Sequence, residues 1–323
     1  MKYDEIQYVP EDQDPSLTIE TRNLVAQVID NTGLSLAANT DIKSHLGRYG
    51  TNSLVPYSHH LGYHGLRTLY DKEERRNLVV PLVSWLNLQG VSLTGIENDP
   101  IDERAWAGVG RGWPMRLEQQ GTGAVVRLDP MPKTQFNYTI EFQPAEPDGI
   151  DFTIKFVFYK KPDAGPVRFR ASWPCYMNAY DDVHFFYPKG SSPDRWDWIP
   201  LGERPDIVIG EPVGYKHQQT SYRVEQQALP VGFGRIGDRA LILMFEDAAV
   251  EFFVVNAGGH FPISPVQNPA WDFEWCIEDY PLNQPVGFRG RLIYTSYDGK
   301  DQILRRYQEW RTQSREQADA GDA

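Results

Sequence analysis

The sequence predicts an all-β protein, a large antiparallel sandwich with a short helix at its C-terminus. Three observations predict it. Short segments in which apolar and polar residues alternate recur along much of the 323-residue chain. Gly and Pro are frequent. No βα alternation, long apolar helical run or internal repeat interrupts the pattern. A chain of this length suits two average domains or one large β domain, and the lack of a Pro/Gly/Ser linker selects the second. The expected organisation is an N-terminal arm over residues 1–16, one β domain over 17–313 and a frayed tail over 314–323.

The elements follow in chain order. A strand pattern runs from Leu17 to Ile29 and ends in an Asn31-Thr32-Gly33 turn. The stretch from Gly47 to Gly65 reads as loop and holds three of the seven His. Asp71 to Arg76 is a mixed charge run that reads as a solvated face. Leu78 to Leu88 is an apolar run, and Val91 to Gly95 a strand candidate. Alternation is cleanest at Phe136–Phe142 and at Asp151–Phe158, where Phe152, Ile154, Phe156 and Phe158 share a face. Further strands are expected from Val167, Ser221, Ala240, Val250 and Val286. After Asp298 or Asp301 as cap, Ile303, Leu304, Tyr307 and Trp310 form one apolar helical face.

Composition excludes several classes. A net charge of −12 does not suit a nucleic-acid backbone. No segment has about 18 consecutive apolar residues, so no membrane span is expected. The first ten residues lack the apolar stretch of a signal peptide, which points to the cytoplasm. The two cysteines, Cys175 and Cys276, show no metal-type pairing and read as free thiols. Gly108-Val109-Gly110-Arg111-Gly112 lacks the strand–helix context and the spacing of a dinucleotide loop. His59, His60 and His64 lack an acid or Cys at ligand spacing. Neither a cofactor nor a metal is expected.

Four places carry candidate chemistry. In Trp271-Asp272-Phe273-Glu274-Trp275 a strand puts the aromatics on one face and the two acids on the other, about 6.5–7 Å apart. Acids beside indole rings suit a sugar, whose C–H faces stack on rings and whose hydroxyls bond to carboxylates. The same pattern also describes a solvated face over an aromatic core. Asp182 and His184 share a strand face. A carboxylate beside an imidazole fixes its tautomer and raises its pKa, as a general acid requires, and equally describes a structural hydrogen bond. His64, beside Gly65, and His260, after Gly258-Gly259, sit where a loop or turn presents them. Arg104, Trp106 and Trp113 are candidate sugar contacts.

With these residues located, the chain resembles the galactose mutarotase-like (aldose 1-epimerase) superfamily. His184-Phe185-Phe186-Tyr187-Pro188 is similar to its His-Pro-Tyr-Phe-Asn strand, Ile199-Pro200-Leu201-Gly202-Glu203 to its Ile-Pro-Thr-Gly-Glu loop, and Tyr63-His64-Gly65 to its Leu-His-Gly-Gly segment. The resemblance implies an antiparallel β-supersandwich. It implies that His184 protonates a sugar ring oxygen and that His64 helps bind the sugar. By position it gives Glu274 the role of the base at the anomeric hydroxyl, although its flanks differ from the family's Glu-Pro. The expected function is acid–base chemistry at or near an anomeric carbon, on a small sugar or oligosaccharide. A glycoside hydrolase or lyase on the same scaffold, or a non-catalytic carbohydrate-binding protein, are the alternatives.

Overall fold

The structure is a computed structural model and describes residues 16–30, 64–79, 85–88, 90–93, 115–130, 136–161, 168–173, 175, 177, 182–188, 196–200, 220–221, 229–246, 250–256 and 270–321. These form eighteen strands, all paired antiparallel, and one helix. The expected all-β antiparallel sandwich with a C-terminal helix is what they build.

The largest layer is a nine-stranded sheet. Its strands, in spatial order, are β12 (Trp196–Pro200), β11 (Asp182–Pro188), β14 (Val231–Ile236), β15 (Arg239–Phe245), β18 (Pro285–Ser296), β9 (Gly149–Phe158), β8 (Phe136–Ala145), β7 (Gly123–Leu128) and β6 (Met115–Gln120). Two smaller sheets carry the remaining strands. One is β1 (Ser16–Glu20), β2 (Leu24–Ile29), β3 (Gly65–Asp71) and β4 (Arg76–Asn77). The other is β13 (Thr220–Ser221), β16 (Val250–Asn256), β17 (Ala270–Glu278), β10 (Arg168–Trp173) and β5 (Gly90–Leu93).

Alternation decides what each face buries. On β8 and β9 the apolar set Phe136, Tyr138, Ile140, Phe142, Phe152, Ile154, Phe156 and Phe158 is buried, and the residues between are half-exposed. Phe169, Trp173, Phe273 and Trp275 of the five-stranded sheet meet that set in one core. Phe156 stacks on Trp275 at 5.7 Å and takes the edge of Phe169 at 4.9 Å. Such pairs add about 0.5–1.5 kcal/mol beyond their buried area. Ile19, Leu24, Ala26, Val28, Leu66 and Leu69 bring the four-stranded sheet into the same core.

The opposite face of the nine-stranded sheet is covered in part by α1 (Lys300–Gly321). Ile303, Tyr307 and Trp310 pack on Val231 and Phe233 of β14, Ala240, Ile242 and Met244 of β15, and Ile293 of β18. At the helix start the backbone of Asp298, one of the two expected caps, is held by a side chain. Gln302, in the first turn, reaches back to accept the Asp298 N–H at 2.8 Å. The helix also runs through the stretch from Ser314 that the sequence leaves as a frayed tail. Ser314 follows Trp310 by four residues on the same face and is buried.

Two other expectations change. Leu17–Ile29 is a hairpin rather than one strand, because Thr21 accepts the Leu24 N–H at its Oγ1 at 3.0 Å and turns the chain between β1 and β2. The Asp71–Arg76 charge run is solvated over 72–75, as expected, but it also anchors β15. Asp71 is fully buried, and with Glu73 and Glu74 it surrounds Arg239 of β15. Cys175 and Cys276 are not joined in a disulfide, as expected.

Candidate functional site

β11 neighbours β14, one of the three strands on which α1 packs. Its register sets Asp182 opposite Arg235 of β14 and His184 opposite Phe233. Directly opposed residues of an antiparallel pair share a face. Phe233 belongs to the helix-side cluster, so positions 182 and 184 lie on that outer face. On its other side β11 pairs with β12, His184 opposite Pro200 and Phe186 opposite Trp198.

The same face gains an aromatic ring from the end of β18. Tyr297, half-buried, stacks on Phe233 at 5.5 Å, and the Arg235 guanidinium lies 5.9 Å from its ring centre. The Tyr297 N–H donates to the Asp238 carbonyl at 2.7 Å, which ties it to the β14–β15 turn. Positions 182 and 184 thus lie opposite Arg235 and Phe233, and Tyr297 stacks on the latter. Arg235 and Tyr297 were not singled out from sequence. The available signal was the alternation Val231, Phe233, Arg235, which shows one face but not what stands across it.

Glu274 lies elsewhere. It sits on β17 in the five-stranded sheet, opposite Ser172 of β10 and Glu251 of β16. Its neighbours Phe273 and Trp275 face the shared core, so Glu274 faces away from the nine-stranded sheet; it is buried there. The expected partnership of His184 with Glu274 is therefore not brought together: the core between two sheets separates their faces. Trp271 and Asp272 lie on the same strand, opposite Val255 and Val254, beside an irregularity in the β16–β17 pairing. Trp275 is a core residue stacked on Phe156.

His64 is a core residue as well, instead of a pocket-lining one. It is 2% exposed, its Nε2 accepts the Leu88 N–H at 3.2 Å, and its ring stands edge-on to Tyr138 at 6.1 Å. Burial pushes its pKa down to about 3, so the imidazole is neutral. Tyr138 accepts the Trp173 indole N–H at 3.1 Å, and burial raises its pKa. Arg104, Trp106, Trp113 and His260, with His59 and His60, lie outside the described residues. Among the described residues no cluster of His, Cys, Asp and Glu has the geometry of a metal site, and no helix is long and apolar enough to cross a membrane.

Compared with known proteins, the chain matches no family model and no curated sequence. Solved structures similar to it include a GalM/aldose epimerase homologue from C. elegans, at 6% identity and a TM-score of 0.48, with 88% of this chain and 100% of that one covered. Another is 4-alpha-glucanotransferase from Thermococcus litoralis, at 10% identity and a TM-score of 0.41, where the match takes in 88% of this chain and 40% of that enzyme.

Proposed function

We propose that this chain is carbohydrate-active and performs acid–base chemistry at the anomeric carbon of a sugar, with His184 and Asp182 as the proton-transfer pair. One observation carries the reading. The β11–β14 register gives Asp182 and His184 one face together with Arg235, and with Tyr297 stacked on Phe233 beside them. Those are the groups a pyranose requires: a carboxylate and a guanidinium for its hydroxyls, and an aromatic ring for its C–H face.

In this reading the His184 imidazolium donates a proton to the ring oxygen while the Asp182 carboxylate accepts the proton of the anomeric hydroxyl. The bond between ring oxygen and C1 breaks, leaving an open-chain aldehyde. Rotation about C1–C2 and the reverse transfers close the ring as the other anomer. Each group moves one proton per direction, and the pair returns to its starting state. Glu274 has no part in this chemistry.

The test is exchange NMR of anomer interconversion over a panel of aldoses, with wild type, His184→Asn, Asp182→Asn and Glu274→Gln. The expected result is acceleration by wild type, a loss of roughly 10²-fold or more in the first two variants, and little change in the third. No acceleration of any sugar overturns the reading, as does a Glu274→Gln loss equal to that of His184→Asn.

A further inference from the structure

The nine-stranded sheet ends at β6, which among the described strands has a hydrogen-bonded neighbour on one side only, β7. The strand is not shielded at the surface: Arg116, Glu118, Gln119 and Gln120 are exposed. Its side chains also obey the pleat. Met115 is core, and Leu117 packs against the core. Arg116, Glu118 and Gln120 therefore face the outer side of the sheet. On that side Arg116 pairs with Asp129 at 2.6 Å, and Glu118 accepts from Arg127 at 3.0 Å. Charges on an edge usually prevent pairing between sheets. Here their order does the reverse.

We propose that β6 is a self-pairing edge, at which a second copy of this chain adds its own β6 antiparallel to the first about a two-fold axis. The geometry restricts the register. Opposed residues must lie on the same face of the joined sheet, so a two-fold axis normal to the sheet centres the pairing on one residue rather than between two. Centring on Arg116 sets it against itself, and centring on Glu118 sets that carboxylate against itself; both are like-charge contacts. Centring on Leu117 sets Arg116 opposite Glu118 of the second copy, twice by symmetry, and sets Leu117 against its own copy beside the core.

That register also continues the charges already present. Across the junction the order is Asp129, Arg116, Glu118 of the second copy and Arg127 of the second copy, an alternation of sign repeated in the other half. The strand is six residues long. Pairing over that length buries less than the roughly 1,200–2,000 Å² of a standard stable interface, so the dimer is weak and reversible.

The test is sedimentation velocity of the full chain from about 1 μM to several hundred μM. The expected result is a monomer–dimer equilibrium that weakens as salt rises, because the contacts are exposed ion pairs. Glu118→Arg sets Arg against Arg116, and Arg116→Glu sets Glu against Glu118. Each is expected to weaken dimerisation at least about tenfold, and the double exchange Arg116→Glu/Glu118→Arg to restore it in part, since it also sets Glu beside Asp129 and Arg beside Arg127. Wild type that stays monomeric throughout overturns the proposal. So does a dimer indifferent to salt, or a double variant that remains as weak as the single ones. If the single variants fail to fold by circular dichroism, the salt dependence of the wild-type dimer decides alone.

Discussion

Arg239→Met should cost this protein about 3 kcal/mol of stability, and the reason lies in one buried carboxylate. Arg239 faces three acids from the β3–β4 turn, at 3.6 Å from Asp71, 2.9 Å from Glu73 and 3.9 Å from Glu74. Its guanidinium also lies 4.6 Å from the ring centre of Tyr294. The three acids do not count equally. The Glu73 side chain is 81% exposed, so water screens that pair and it contributes a few tenths of a kcal/mol at most. Asp71 is fully buried, and losing its cation leaves a charge that water cannot reach. Breaking a buried pair in this way costs about 3–5 kcal/mol. The Glu74 N–H still donates to Asp71 at 2.6 Å in the variant, which puts the expectation at the low end.

Equilibrium unfolding in urea checks this with three variants, Arg239→Met, Asp71→Asn and the two together. Asn keeps an acceptor for the Glu74 N–H and removes the charge, so the double variant is expected to regain most of what Arg239→Met loses. A loss below about 1 kcal/mol for Arg239→Met, or strictly additive effects, would show that the buried charge is not what the guanidinium holds. Tyr294, whose hydroxyl donates to Glu74 at 2.9 Å, ties β18 into the same cluster. Burial, and after it this hydrogen bond, raises the pKa of that phenol.

His64 should make stability depend on pH. Its folded pKa of about 3 lies below the ordinary 6.5, so the unfolded chain binds the proton first. This contribution is complete above about pH 6.5 and falls towards pH 3 by roughly 1.4 kcal/mol per unit. Gln at position 64 can still accept the Leu88 N–H, and unfolding of His64→Gln measured across pH 4–7 is expected to lack that slope; an unchanged slope refutes the assignment. Trp275→Ala should cost about 3–5 kcal/mol as a core deletion, yet leave any sugar-induced change of tryptophan fluorescence in place. Loss of that response without loss of stability would return Trp275 to the surface role its sequence neighbours suggest.

The elements most legible in the sequence are those where one residue type dominates one face. Phe152, Ile154, Phe156 and Phe158 are read at a glance, because apolar residues at period two have few other uses. β6 and β7 were not read, because an edge strand such as Met115–Gln120 is mostly polar and looks like loop. The Thr21 turn was missed for a related reason. A Thr inside a β-rich run fits a strand, and only its hydroxyl on the Leu24 N–H marks the bend. Asp71 to Arg76 shows the limit of charge patterning. Residues 72–75 meet water, while Asp71 at the head of the run is buried against a guanidinium contributed by residue 239.

The family resemblance paired His184 with Glu274 by position, and alternation could not correct it. Alternation tells which side of its own strand a residue occupies, and both residues alternate with aromatics. It does not tell which sheet the strand joins. A sandwich turns the core side of each sheet inward, so acids that alternate with core aromatics end on outer faces, and a sandwich has two of them. β17 takes Glu274 to one and β11 takes His184 to the other. What distinguishes the two faces is the neighbourhood that non-local pairing adds. Beside position 184 it adds Arg235 from β14, and Tyr297 from the segment that leads into α1. The helix packs on β14, β15 and β18, and β11 pairs with β14, so the proposed site adjoins the helix-bearing strands. On the proposed reading these neighbours favour position 184 over position 274.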